Sequence, residues 1–122
     1  MDESILDSVK KLLGVAICNT DFDQDIIIHI NSVLFILSQM GIVKTDDFEV
    51  VDQSKSWREI LTSDQYNLFA VKSWVGLKVR MLFDPPTSSI LAEAIAANLK
   101  ELEWRIYITE NYIGEIESVW SK

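Results

Sequence analysis

The chain has 122 residues, 48% of them apolar and 25% charged, and a formal net charge of −8. That length fits one domain with one modest core, and the apolar content excludes a disordered chain. The negative balance argues against unaided DNA binding, a single cysteine (Cys18) excludes an internal disulfide, and one cysteine with one histidine (His29) cannot build a structural zinc cluster.

The predicted elements are helices. The first spans 3–13: Ile5, Leu6, Val9, Leu12 and Leu13 recur at helical spacing, Lys10 and Lys11 sit near its end, and Gly14 can stop it. The second spans 23–40, with Thr20 or Asp21 as its cap and Gly41 as its terminator. Ile26, Ile30, Val33, Leu37 and Met40 form its core stripe, and Ile28 and Phe35 lie on the opposite side among Asn31, Ser32, Ser38 and Gln39. Residues 43–55 read as a polar connection, irregular or a short β arm around Phe48, Val50 and Val51. A short helix over 56–61 would bury Trp57, Ile60 and Leu61.

The helix predicted over 64–83 has two apolar stripes about 140° apart. One holds Leu68, Val71, Val75, Val79 and Leu82; the other holds Tyr66, Ala70, Trp74, Leu77 and Met81. Lys72, Gly76 and Arg80 mark its polar face, and two apolar stripes require two packing partners. Asp84-Pro85-Pro86 ends it, because a residue before proline avoids the α region. The helix expected over 88–109, capped by Thr87 or Ser88, buries Leu91, Ile95, Leu99, Leu102 and Ile106. Ile90, Ala97, Trp104 and Ile108 form a sparser stripe behind. Beyond it, 110–122 is too short for a stable isolated helix, and its apolar residues suit a docking tail. The expected fold is all-α: a small bundle of four to five helices over 1–109 with one irregular or short β arm, followed by the tail.

Candidate chemistry is sparse. Asp21, Asp23 and Asp25 have the spacing of half a calcium loop, but Ile26 and Ser32 stand where such a loop needs Gly and Glu. Acids there serve the helix dipole. His29 has no assignable acid or nucleophile, Cys18 has no base nearby, and no phosphate loop or nucleophile elbow is present. The expectation is no enzyme, no catalytic residue, no cofactor and no metal. Nor does the N-terminus resemble a secretory signal, since it carries acids there; the longest apolar run, 33–37, is far short of the roughly 20 residues that cross a bilayer. The chain is expected to be soluble, with no membrane partner. What remains is surplus apolar surface: Ile28, Phe35, Trp104, Ile108, Ile113, Ile116 and Trp120 are the candidate interface residues.

Charge is unevenly spread. Residues 21–52 hold seven acids against one base, a net of −6, whereas 53–85 hold five bases against three acids, a net of +2. Opposite charge in two parts of one chain suits head-to-tail packing of identical subunits, and equally suits ordinary solvated surface.

Several phrases resemble the head-tail connector (adaptor) proteins of tailed bacteriophages, the type that docks as a ring on the portal. They are ILDSVKKLLG, FDQDIIIHINSVLFILSQMG, Trp57 in SWREIL, VKSWVGLKVRMLFDPP and ILAEAIAANLKELEWRI, with KVRMLFDPPTSS and ELEWR the strongest. The resemblance covers about residues 5–106 and leaves the tail uncovered. It implies a virion protein at the head-tail interface, present in the host cytoplasm during assembly. It implies a homo-oligomeric ring of portal symmetry, bound to the portal and to a stopper or tail-completion protein. DNA would pass through such a ring without specific binding, and acidic walls suit that role because they repel phosphates. The competing expectation is a small acidic helical regulator or adaptor that binds a host or phage protein and is absent from virions.

Overall fold

The computed structural model of the protein describes residues 3–63 and 66–120, with side chains through residue 108. Five helices follow in order: α1 (Ile5–Leu13), α2 (Asp23–Gln39), α3 (Trp57–Ile60), α4 (Leu68–Phe83) and α5 (Ser89–Trp120).

Local chemistry sets most of the ends. The Ser4 side chain accepts the Asp7 N–H at the start of α1, and Gly14 closes it at φ 77°, in the left-handed region that favours glycine. Gly41, at φ 84°, turns the chain after α2. Ser56 and Glu59 form a reciprocal capping box on α3, and the Asn67 side chain caps α4 through the Ala70 N–H. The expected cap of α2 is wrong. Phe22 occupies that position without a side-chain bond, and Asp23 and Asp25 supply the negative charge of the first turn.

α4 is central: it packs against α1, α2 and α5. Val71, Val75 and Val79 of one stripe and Tyr66, Ala70 and Trp74 of the other are all buried, so both predicted faces find partners. Trp74 Nε1 donates to Glu103 of α5 at 3.0 Å, which assigns the second stripe to α5. Gly76 does not lie on a polar face as expected. It is buried at the α1–α4 crossing, where an added Cβ would overlap the Leu12 side chain. Leu99 and Ile95 of α5 complete that side of the core. Trp74→Ala and Leu99→Ala should each destabilise the subunit by about 2–5 kcal/mol in urea unfolding, because each empties a packed site. Near-native midpoints for both would mean the helix faces are wrongly assigned.

The 43–55 arm is irregular, as expected. It is flanked by two isolated bridges, Ser4 with Ser56 and Val43 with Leu61. One polar side chain fastens it. Asn31 Nδ2 donates to Val50 O at 3.0 Å, and Asn31 Oδ1 accepts Val50 N–H at 2.8 Å. The amide thus satisfies both backbone groups of a buried residue. Asn31→Ala should cost about 1–3 kcal/mol by stranding them; hydrogen exchange at Val50 that stays as slow as in the wild type would contradict this.

Charged side chains also reach inward. Lys10 was expected only near the end of the first helix, yet it is 1% exposed. Its ammonium donates to Ile17 O at 2.9 Å and Asn19 O at 2.7 Å, and lies 2.8 Å from Asp23 Oδ1. Just before α1, Glu3 pairs with Lys72 of α4 at 3.0 Å and with Lys11 at 3.3 Å.

The last helix differs most from expectation. α5 continues without a break past residue 109 to Trp120, and Gly114 does not interrupt it. Adding turns to a helix already nucleated and packed costs far less than starting a new one. The tail is therefore not an isolated segment.

Candidate interaction surface

The arrangement of α2, α4 and α5 leaves two apolar faces outside the bundle. On α2, the stripe of Ile26, Ile30, Val33 and Leu37 is turned inward and buried. The residues half a turn away must face outward: Ile28 is 61% and Phe35 54% exposed. The arm held by Asn31 brings Phe48 and Glu49 alongside. Together Ile28, Asn31, Ser32, Phe35, Phe48 and Glu49 line an open groove of about 530 Å³. Ile36 and Val51 are also exposed.

On α5 the same logic exposes the back of the helix. Trp104 is 57% and Ile108 46% exposed, and Trp104 stacks on Tyr107 with ring centroids 6.0 Å apart. Trp104 is the outlier among the described tryptophans, since Trp57 and Trp74 are buried. Glu101 is held by Arg105 at 2.8 Å, and Glu103 by Trp74 and, at 3.9 Å, by Lys78. Lys100, one turn before Trp104, is exposed and has no ion pair among the described residues. Ile108 also borders a smaller pocket of about 280 Å³ with Tyr66, Asn67, Ala70, Arg105 and Ile106.

The candidate interface residues thus fall into two groups. Ile28 and Phe35 share the α2–arm groove, while Trp104 and Ile108 lie on α5, beyond α4. Ile113, Ile116 and Trp120 lie outside the residues whose side chains are described. Sequence reading missed Phe48 and Tyr107 as members of these faces; the i, i+3 spacing of Trp104 and Tyr107 was the available signal.

The residues considered for chemistry have structural employment. Asp23, the middle acid of the calcium-like spacing, is committed to Lys10. His29 is half-buried, with its ring edge-on to Phe83 at 6.3 Å. Cys18 is exposed. Among the described residues no group of three or more His, Cys, Asp or Glu could hold a metal ion, and no helix is long and apolar enough to cross a membrane.

Two carboxyls titrate low. The hydrogen bond from Lys72 holds Glu3 below its ordinary value of 4.5; partial burial opposes this, and Lys11 reinforces it. Asp52 is lowered by hydrogen bonds from the side chain and backbone of Ser54. A depressed carboxyl contributes stability that is fully present above its unfolded value and is lost as pH falls through the folded one. Glu3→Gln should therefore remove a small component of stability that is present above about pH 4.5 and fades as the pH falls below it, leaving the difference between variant and wild type smaller at pH 3 than at pH 7.

Sequence comparison adds one finding. The model of a family described as "Phage connector protein" matches residues 5–113. No curated protein and no solved structure matches.

Proposed function

The chain belongs to the phage connector protein family, and we propose that it forms a ring below the portal that joins the phage head to the tail and extends the DNA channel. The family is structural rather than catalytic and implies a virion component. The observation that carries the finer reading is the pair of exposed apolar faces, one on α2 and the arm, the other on α5, on either side of α4. A monomer has no use for both. Unlike patches on opposite sides generate head-to-tail contacts, which close into rings when the rotation closes.

The charge supports the channel role. A net −8 surface does not grip DNA phosphates, which must slide past it. The other partners in this reading are the portal on one side of the ring and a stopper or tail-completion protein on the other.

The test is particle composition. Purified virions should contain the protein at a fixed copy number per portal, and phage lacking it should accumulate DNA-filled heads without tails. A protein absent from purified particles would instead be the regulator.

A further inference from the structure

The two apolar faces carry complementary charge. α4 separates α2 from α5: its valine stripe is buried on one side, and its Tyr66–Ala70–Trp74 stripe meets α5 about 140° away. α4 packs against both α2 and α5, so the outer face of α2 and the outer face of α5 lie on different sides of the subunit. One is the open, shallow Ile28–Phe35–Phe48 groove, and the other presents the stacked Trp104–Tyr107 pair.

Their free charges are of opposite sign. On the groove side, Glu49 and Asp25, the latter one turn before Ile28, are exposed and without ion pairs among the described residues. On α5, the acids beside Trp104 are neutralised within the subunit, which leaves Lys100. A buried aromatic anchor with opposite charges at its rim is the usual anatomy of a specific contact.

We propose that the Trp104–Tyr107 face of α5 in one copy seats in the α2–arm groove of the next copy, with Lys100 facing Asp25 and Glu49. This rests on the ring reading and specifies its subunit interface. The contact is heterologous: each copy gives its α5 face to one neighbour and its groove to the other.

The test uses the full-length protein carrying Cys18→Ser, at concentrations where native mass spectrometry detects multimers, with portal present if required. Ser32→Cys and Ala97→Cys, the latter exposed on the same face of α5 two turns before Trp104, are introduced separately and treated with a short bismaleimide, alone and mixed. The mixture should give a cross-linked dimer at least about 10-fold above either variant alone, and Trp104→Ala should weaken association at least about 10-fold with unchanged melting. Self-cross-linking of either cysteine variant would show a two-fold contact and overturn the proposal. Multimers that form without the mixed cross-link, or that tolerate Trp104→Ala, overturn it too while leaving the ring intact. If no multimer forms even with portal, the ring reading fails and takes this interface with it.

Discussion

Replacing Lys10 with methionine should lower subunit stability by about 3–5 kcal/mol, the range seen when one partner of a buried charge pair is removed. The residue is 1% exposed, and its ammonium joins three acceptors: Ile17 O, Asn19 O and Asp23 Oδ1. Methionine fills nearly the same volume, so the loss measures polar contacts rather than a cavity. Two backbone carbonyls and the Asp23 carboxylate would each lose this donor. Asp23→Asn keeps an oxygen acceptor and both carbonyl bonds but leaves the buried Lys10 ammonium without its counter-charge, so it should be destabilising on the same scale, about 3–5 kcal/mol. Urea unfolding with an unchanged slope checks both variants. If Lys10→Met unfolds within about 1 kcal/mol of wild type, Lys10 does not hold the loop between α1 and α2.

This strut shows where sequence reading stops. The helices were legible because their apolar stripes are strong and their stops are explicit: Gly14, Gly41 and Asp84-Pro85-Pro86. The central place of α4 followed from its two stripes. Lys10 was not legible, because a lysine in the last turn of a helix has a sufficient reason to be there in the dipole. Its burial depends on the path of residues 15–20, which no periodicity reports. Gly76 was misplaced for a similar reason: among Lys72 and Arg80 it read as polar surface, and only the crossing of α1 over α4 reveals a close approach. Asn31 sits on the outward side of α2, and its partner Val50 is nineteen positions away. Its two bonds to Val50 tie the arm to α2 beside that groove. Hence Ile28 and Phe35 could be named as exposed apolar residues, whereas the groove they form with Phe48 could not.

Deleting residues 111–122 should leave subunit melting nearly unchanged and abolish assembly into infectious particles. α4 has 16 residues and α5 has 32, so at about 1.5 Å per residue α4 accompanies only about half of its neighbour. The antiparallel pairing puts the start of α4 level with Arg105 and Ile106, where Tyr66, Asn67 and Ala70 share a pocket with them. Ile106 is the last residue of α5 in the core among those described. Yet the helix continues, and so does the spacing of its core stripe: Leu99, Leu102 and Ile106 are followed by Ile113, Ile116 and Trp120 at positions that fall on the same side of a continuous helix. A stripe that outlasts its partner within the subunit suits a partner outside it, and tryptophan is prominent among residues that dominate such contacts. The truncated protein keeps every described core residue, so its unfolding midpoint should stay close to that of the full chain. Two results would defeat this assignment: a truncated protein that unfolds, which would make 111–122 part of the core, or one that supports normal particle yields, which would make the segment dispensable.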